Sequence, residues 1–307
     1  MRPCPAYQNV MIVLAESVEQ LEPSASVRDI AASTEAARLA GATVFTIPAD
    51  FAVCETADAA LAHIAPLAMP TATFWVGYIP DPARYEAIYA AARARNLRLP
   101  NTLAQHLDAQ EFPRTYPRIA DLTARTAFVA SPDAAALGAA VQAVGGFPVF
   151  VKGAVQSRKG RGWRACVAES AADLAVLTSS LLSLPNRSRG VVAVRELLPL
   201  CVCGHAPNGF PLGREFRVFV YRGVVAGAGY YWETAEGNAD RLTEGERSAV
   251  HALALEAARR IRTGYIAVDI GQLTDGTWRV IETGDGQFSG LSRVAKIALW
   301  NALHERS

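Results

Sequence analysis

The chain has almost no net charge. Its 30 basic and 29 acidic side chains leave a formal +1 over 307 residues, so charge gives no reason to expect a nucleic-acid or polyanion partner. Cysteine is scarce. The five, at 4, 54, 166, 201 and 203, include no CxxC pair, and the two-residue spacing of Cys201 and Cys203 reads as structural in the absence of a second pair. A reduced, cytoplasmic protein is expected. No apolar run is long enough to span a bilayer, so no membrane association is expected. The segment NVMIVLAES lacks a charged lead-in and a small-residue cleavage site, and no secretion signal is read there. The five histidines, at 63, 106, 205, 251 and 304, show no metal-binding spacing. Neither GxxxxGK[ST] nor a GxGxxG after the first strand is present, which argues against a P-loop or dinucleotide fold. The missing GxSxG argues against a serine hydrolase.

What is present is apolar mass, 51% of the residues, in a chain longer than one core usually holds, so two or three subdomains are expected. Residues 1–105 alternate strand-like runs (10–15, 42–48, 71–79) with helical patterns (28–41, 81–96), the order of βαβ units and a small parallel sheet. Residues 106–200 read as an α+β unit. Its first helix is capped by Ser131 with Pro132 in the first turn, and strands at 147–152, 164–168 and 190–197 flank a basic loop. Ser170 and Asp173 open a second helix at capping-box spacing. Residues 201–307 read as hairpin, helix, hairpin, helix. Arg222-Gly223 and Asp275-Gly276 form the two turns, and Val250, Leu253, Ala254, Ala257 and Ile261 keep helical spacing between them. A closing helix spans 291–305.

The second hairpin carries the first chemical signal. With Asp275 and Gly276 as the two turn residues, counting outward sets Leu273 against Trp278, Ile270 against Ile281, and Asp269 against Glu282. Opposed like charges destabilise a sheet. They are tolerated if one carboxylate is protonated, or if a divalent cation such as Mg²⁺ sits between them and shares its oxygens with phosphate. The alternative is a wet edge with Arg279 or Arg293 as counter-ions. The following run ETGDGQFSG adds Asp285 and Gln287 as further oxygen donors.

The second signal is basic. Lys152 ends an otherwise apolar strand, where an ammonium needs an anion or an exit to water. The loop QSRKGRG then sets Arg158, Lys159 and Arg161 among small residues that allow close phosphate approach. On REFRVF, Glu215 and Arg217 share a face, either as an edge-strand ion pair or as a site at which the arginine meets a phosphoryl group. Tyr230, Tyr231 and Trp232 read as packing.

PVFVKG, QSRKGRG, VAVRELLPL, REFRVFVYRG and AVDIGQLTDGTWRVIETGDGQ, in that order, resemble the ATP-grasp superfamily. VKGAVQSRKG and GDGQFSGL resemble its clade named for one arginine and two lysines. The resemblance covers about 120–292. It implies a mixed α/β and α+β architecture: an N-terminal βαβ (pre-ATP-grasp) domain followed by two α+β subdomains that enclose a nucleotide. It implies that Lys152 and Lys159 hold the phosphates of ATP, with Arg125 as a further basic contact. Arg195, Glu196, Leu197 and Leu198 would edge adenine and ribose, and Arg217 would meet the γ-phosphate. Asp269 and Glu282 would bind Mg²⁺, with Mn²⁺ as an alternative. Two positions depart from the pattern. Gly284 stands where an asparagine ligand is usual, leaving Asp285 or Gln287 to replace it, and Gly153 stands where an aspartate usually follows the lysine. The implied activity is a carboxylate–amine ligase that works through an acyl phosphate, with catalytic Arg217 and Lys159 and with small-molecule or peptide carboxylate and amine substrates. The alternatives are a phosphotransferase on another acceptor and a nucleotide-binding partner protein without turnover. A homo-oligomer is left open.

Overall fold

The computed structural model describes residues 10–18, 21–22, 24–49, 54–233 and 237–307; Cys4 lies outside them. The chain divides into two compact units. The first comprises 1–104 with 286–307 and the second 105–285.

The first unit is a parallel sheet. β1 (Ile12–Glu16), α1 (Ala25–Leu39), β2 (Thr43–Ile47), α2 (Ala57–Ala60), β3 (Thr71–Val76), α3 (Pro82–Ala94) and β4 (Leu97–Arg98) follow in order, with strands arranged β2-β1-β3-β4. All of β1 is buried, the reason its residues 12–15 are continuously apolar rather than alternating; Glu16, at its end, is paired with Arg84. Side-chain caps open two of its helices, the first of them at Ala25, three residues before the expected start. Ser24 Oγ accepts from Val27 N at 3.2 Å, and Asp81 Oδ1 accepts from Arg84 N at 2.8 Å with Pro82 in the first turn. The tail 286–307, which the sequence reading attached to the third segment, belongs to this unit. There Trp300 Nε1 donates to Ser33 Oγ at 3.2 Å.

The second unit opens within α4 (Leu103–Gln110) and continues with α5 (Phe112–Ile119), two helices not read from the sequence. Its elements are β5 (Thr126–Val129), α6 (Ala134–Val144), β6 (Val149–Gly153), β7 (Val167–Ala168), α7 (Ala171–Leu182), α8 (Pro185–Ser188) and β8 (Val192–Glu196). They continue with β9 (Val202–His205), β10 (Pro211–Gly213), β11 (Glu215–Tyr221), β12 (Val224–Tyr230), α9 (Glu244–Ile261), β13 (Tyr265–Gln272) and β14 (Trp278–Asp285). α10 (Lys296–His304) closes the chain in the first unit. The cap of α6 is Asp133, not Ser131: its Oδ1 accepts from Ala136 N at 2.9 Å. The closing helix begins at Lys296, later than expected.

Two antiparallel sheets build the site. In the sheet β5-β8-β6-β7, Val149, Val151, Val192 and Val194 pack with Leu137, Val141, Leu174 and Leu181 of α6 and α7. Alternation therefore sends Phe150, Lys152, Ala193 and Arg195 to the opposite face. In the sheet β12-β11-β13-β14, Phe216, Val218, Val268, Ile270 and Val280 pack with Val250, Ala254, Ala257 and Ile261 of α9. The other face carries Glu215, Arg217, Asp269 and Glu282.

α9 opens with a capping box. Thr243 Oγ1 accepts from Glu246 N, and Glu246 Oε2 accepts from Thr243 N at 2.9 Å, while Arg214 Nη1 donates to the same carboxylate. The Arg214 hydrogen bond draws Glu246 down to about 2. A depressed carboxylate stabilises the fold fully above its unfolded value near 4.5, and that contribution is lost as pH falls towards about 2. Glu246→Gln is expected to lower unfolding free energy by about 1–2 kcal/mol at pH 7 and by much less at pH 3. Urea unfolding at the two pH values measures both.

Candidate active site

The hairpin that pairs the acids is less regular than the count from its turn. Gly276 N donates to Leu273 O at 2.9 Å and Leu273 N to Thr277 O at 2.8 Å, so the loop holds three residues, with Gly276 at φ +85°. The ladder near the turn is displaced accordingly: Gln272 opposes Trp278 and Ile270 opposes Val280. An irregularity between Asp269 and Ile270 absorbs Ile281 as an extra residue, and beyond it Asp269 opposes Glu282. The expected acidic pair is present, whereas the expected Leu273–Trp278 and Ile270–Ile281 pairs are not. Without the bulge, Glu282 would point with Val280 into the core under α9, because a one-residue slip turns side chains to the other face.

Asp269 and Glu282 are not at a wet edge. Each faces an internal cation. Arg217 opposes Asp269 across the strands and donates to both of its oxygens, Nε to Oδ1 and Nη2 to Oδ2, each at 2.7 Å. Lys152 Nζ, from the facing sheet, donates to Glu282 Oε1. Arg279, considered as a counter-ion, instead donates to the Asp121 carbonyl. Arg217 and Lys152 offset the repulsion of the two opposed carboxylates: each carboxylate is compensated by its own cation.

The cation environments differ. Lys152 is 2% exposed. Burial pushes it below the usual lysine range, and the Glu282 charge opposes that. Burial likewise draws Arg195 down to about 10 against the same carboxylate. Arg195 donates to Ile281 O and Thr123 Oγ1, each at 2.9 Å, and its guanidinium carbon lies 4.5 Å from the Phe112 ring centroid. Lys152 Nζ lies 5.2 Å from the same ring. For Lys159, burial would lower the ammonium, but Tyr231, Glu215, Glu282 and Asp269 outweigh it and hold it above its ordinary value. Arg217 is held up in the same way by Asp269 against the effect of burial.

One cleft in this unit is lined by Lys152, Lys159, Arg195, Glu196, Leu197, Leu198 and Glu282, with Ala124, Phe150, Ser157 and Ile281. Seven of the sequence-derived candidates therefore share one concavity, and Glu282 ties Asp269 and Arg217 to it. Arg125 is the most exposed of the set and pairs with Glu196, Nε to Oε2 at 3.0 Å. That pairing pulls the Glu196 carboxyl below its usual range.

Two of the expected metal donors are corrected. Asp285, three residues beyond Glu282, points to the opposite face of β14, where it is fully buried and its Oδ2 lies 3.0 Å from His106 Nδ1. Gln287 belongs to the first unit. Its Oε1 accepts from Trp75 N at 3.0 Å and its Nε2 donates to Tyr85 Oη at 3.3 Å. The glycine after Lys152 also has a steric cause. A Cβ at Gly153 would stand 2.3 Å from the carbonyl oxygen of Arg187, so no aspartate fits there.

Three residues outside the candidate set reach the site. Glu215 is 2% exposed, and among the described residues its Oε2 has no hydrogen-bond partner; burial raises its carboxyl above the usual range. Tyr231 and Trp232 lie against Lys159 and Arg217 rather than only in the core. Among the described residues no group of three or more His, Cys, Asp or Glu side chains could hold a metal ion alone. Asp269 and Glu282 instead fit a dication that takes one or two carboxylates and completes its shell with substrate phosphates.

The profile of the ATP-grasp domain, R2K clade family 3, matches residues 137–303. Among solved structures, the chain is similar to a RimK domain ATP-grasp protein from Sphaerobacter thermophilus, at 18% identity and TM-score 0.61, with 96% of this chain and 98% of that one covered. It is similar to the D-cycloserine synthetase DcsG, at 15% identity and TM-score 0.62, covering 97% and 99%. It is also similar to D-alanyl-alanine synthetase A from Vibrio cholerae O1 biovar eltor, at 14% identity and TM-score 0.61, covering 94% and 92%. These likenesses show a shared fold. A search of curated proteins finds no significant match.

Proposed function

The chain belongs to the R2K clade, family 3, of ATP-grasp domains, and from that premise we propose that it is an ATP-dependent carboxylate–amine ligase. The observation that carries this reading is the double ion pair, Arg217 with Asp269 and Lys152 with Glu282, beside a cleft edged by residues 195–198. Four cations, Lys152, Lys159, Arg195 and Arg217, gather around three carboxylates, Asp269, Glu282 and Glu215. Such a site holds a polyanion more readily than a neutral ligand. Leu197, Leu198, Phe150 and Ile281 give the same cleft an apolar stretch suited to a base.

In the proposed reaction Lys152 and Lys159 hold the phosphate chain, and Arg217 leaves Asp269 to meet the γ-phosphoryl group with its planar fork. A substrate carboxylate oxygen attacks the γ-phosphorus, the bond to the β-phosphate oxygen breaks, and ADP leaves. An amine then attacks the acyl carbon of the acyl phosphate and inorganic phosphate departs, the amine proton passing to phosphate or solvent. Asp269 and Glu282 would hold Mg²⁺, or Mn²⁺, whose charge would offset that of the phosphates. No protein nucleophile is required. Positioning and charge carry the chemistry.

The test is ADP release in the presence of ATP, Mg²⁺ and paired pools of carboxylates and amines, with hydroxylamine as a trap. Release that requires a carboxylate, together with hydroxamate formation, is the expected result. Release that requires a hydroxyl acceptor and yields no hydroxamate overturns it in favour of a phosphotransferase. Gly284 favours one rival, a nucleotide-binding protein without turnover, since that strand position supplies no side-chain ligand; tight ATP binding with no ADP under any pool would select it. The proposed substrates are small-molecule or peptide carboxylates and amines. Among the described residues no helix is long and apolar enough to cross a membrane.

A further inference from the structure

Lys159 and Arg217 come from different parts of the second unit, a short 3₁₀ turn (Lys159–Arg161) and β11. Both must address one phosphate chain if the ligase reading holds. Direct ion pairing does not fix Lys159. Among the described residues its closest acid is Glu215, at 3.9 Å from Nζ, the limit of an ion pair and too long for a hydrogen bond. The rings are better placed. Lys159 Nζ lies 5.1 Å from the centroid of Tyr231 and 5.4 Å from that of Trp232, and the Arg217 guanidinium carbon lies 4.8 Å from the Tyr231 centroid. All three fall within the range in which an aromatic face attracts a cation. Tyr231 is the ring that meets both.

Its own position is well determined. Tyr231 N donates to Glu215 O at 2.9 Å, continuing the β11–β12 pairing for one more residue. Trp232 meets it edge to face at 4.8 Å and is itself held by an Nε1 hydrogen bond to Gly213 O at 3.0 Å.

We infer that Tyr231 is a positioning residue: its ring face holds the Lys159 ammonium and the Arg217 guanidinium in mutual register for a shared polyphosphate. This deepens the ligase reading and rests on its assignment of those two cations to the phosphates of ATP. The device suits a cation that has to change anionic partners. A ring attracts charge without a directional hydrogen bond, so Lys159 and Arg217 turn towards phosphate oxygens while remaining on the ring. A carboxylate in the same place would compete with the ligand.

The experiment compares Tyr231→Leu, Tyr231→Phe and wild type by calorimetric titration with ATP and with AMP in Mg²⁺, after thermal melting shows that each variant is folded. Tyr231→Leu is expected to weaken ATP by about tenfold, as loss of two cation–ring contacts implies, and to leave AMP nearly unchanged, since AMP lacks the β- and γ-phosphates. Tyr231→Phe is expected to recover ATP affinity to within about twofold because the ring face is kept. In Lys159→Ala the Tyr231→Leu penalty should shrink, because one of its two cations is gone. Equal losses for ATP and AMP, a Phe variant as weak as Leu, an undiminished penalty in Lys159→Ala, or no penalty at all overturns the proposal. If Lys159→Ala and Arg217→Ala alone leave ATP affinity intact, the assignment of those cations to the phosphates has failed first. A leucine that lowers the melting temperature too far for titration is replaced by methionine at the same position.

Discussion

Asp269→Asn combined with Glu282→Gln is expected to remove the Mg²⁺-dependent part of ATP stabilisation and to cut turnover about a thousandfold or more. The pair is nearly isosteric, so what changes is charge. In the wild-type chain both carboxylates are already engaged, Asp269 by a two-pronged Arg217 and Glu282 by Lys152. Mg²⁺ added alone therefore competes with internal cations and should raise the melting temperature little. ATP changes the balance by drawing Lys152 and Arg217 to its phosphates, which frees two neighbouring carboxylates in the same cleft. Metal and nucleotide should then bind with positive coupling, each improving the affinity of the other by the same factor. In the double variant that coupling disappears. Metal-free ATP keeps or gains affinity, because the cations have lost their charged competitors. Thermal melting over a matrix of ATP and Mg²⁺ concentrations reads all of this. A magnesium increment in the double variant equal to that of wild type removes Asp269 and Glu282 from the metal assignment.

The same residues indicate what a linear sequence reveals. The opposed acids were legible because a hairpin is local: alternation from a two-residue Gly turn sets 269 against 282, and the three-residue loop of the structure keeps that pair through the bulge. The bulge at Ile281 was not legible, and two errors of one residue cancelled, a longer loop against an extra residue in the strand. The apolar strand that Lys152 ends left it an anionic partner or an exit to water; parity gives its face, since Val149 and Val151 claim the helix-covered one, and the structure supplies Glu282 as the partner. Parity also held the correction for Asp285, whose odd offset from Glu282 along one continuous strand sends it to the far face. The glycine-rich composition of ETGDGQFSG outweighed that in the sequence reading. Glu215 was placed on the face of Arg217 by alternation, whereas Tyr231 and Phe112 had no local signal. Their roles arise where elements distant in sequence meet cations, so only the packed chain shows that an aromatic pair at a strand end lies against Lys159, or that Phe112 faces both Lys152 and Arg195. The parallel sheet of the first unit was legible from its βαβ order, but not the recruitment of 286–307 to it.

Lys152→Met is expected to weaken ATP binding about a hundredfold and to lower stability at the same time, and the two effects can be separated. Methionine fills the space of a side chain that is 2% exposed but leaves Glu282 without its nearest cation. Breaking one side of a buried ion pair costs about 3–5 kcal/mol, because the remaining charge stays desolvated. Arg195 and Lys159 also act on Glu282, so the loss should fall at the lower end of that range. Adding Glu282→Gln removes the stranded charge, and the double variant Lys152→Met/Glu282→Gln should recover most of the stability measured by urea unfolding. Its affinity for metal-free ATP should not recover, since the ammonium that meets the phosphates is still absent. A purely structural lysine gives the opposite pattern: stability and nucleotide affinity return together once the carboxylate is neutralised. That outcome would leave the cleft at 195–198 without its deepest cation and would transfer the phosphate assignment to Lys159 and Arg217 alone.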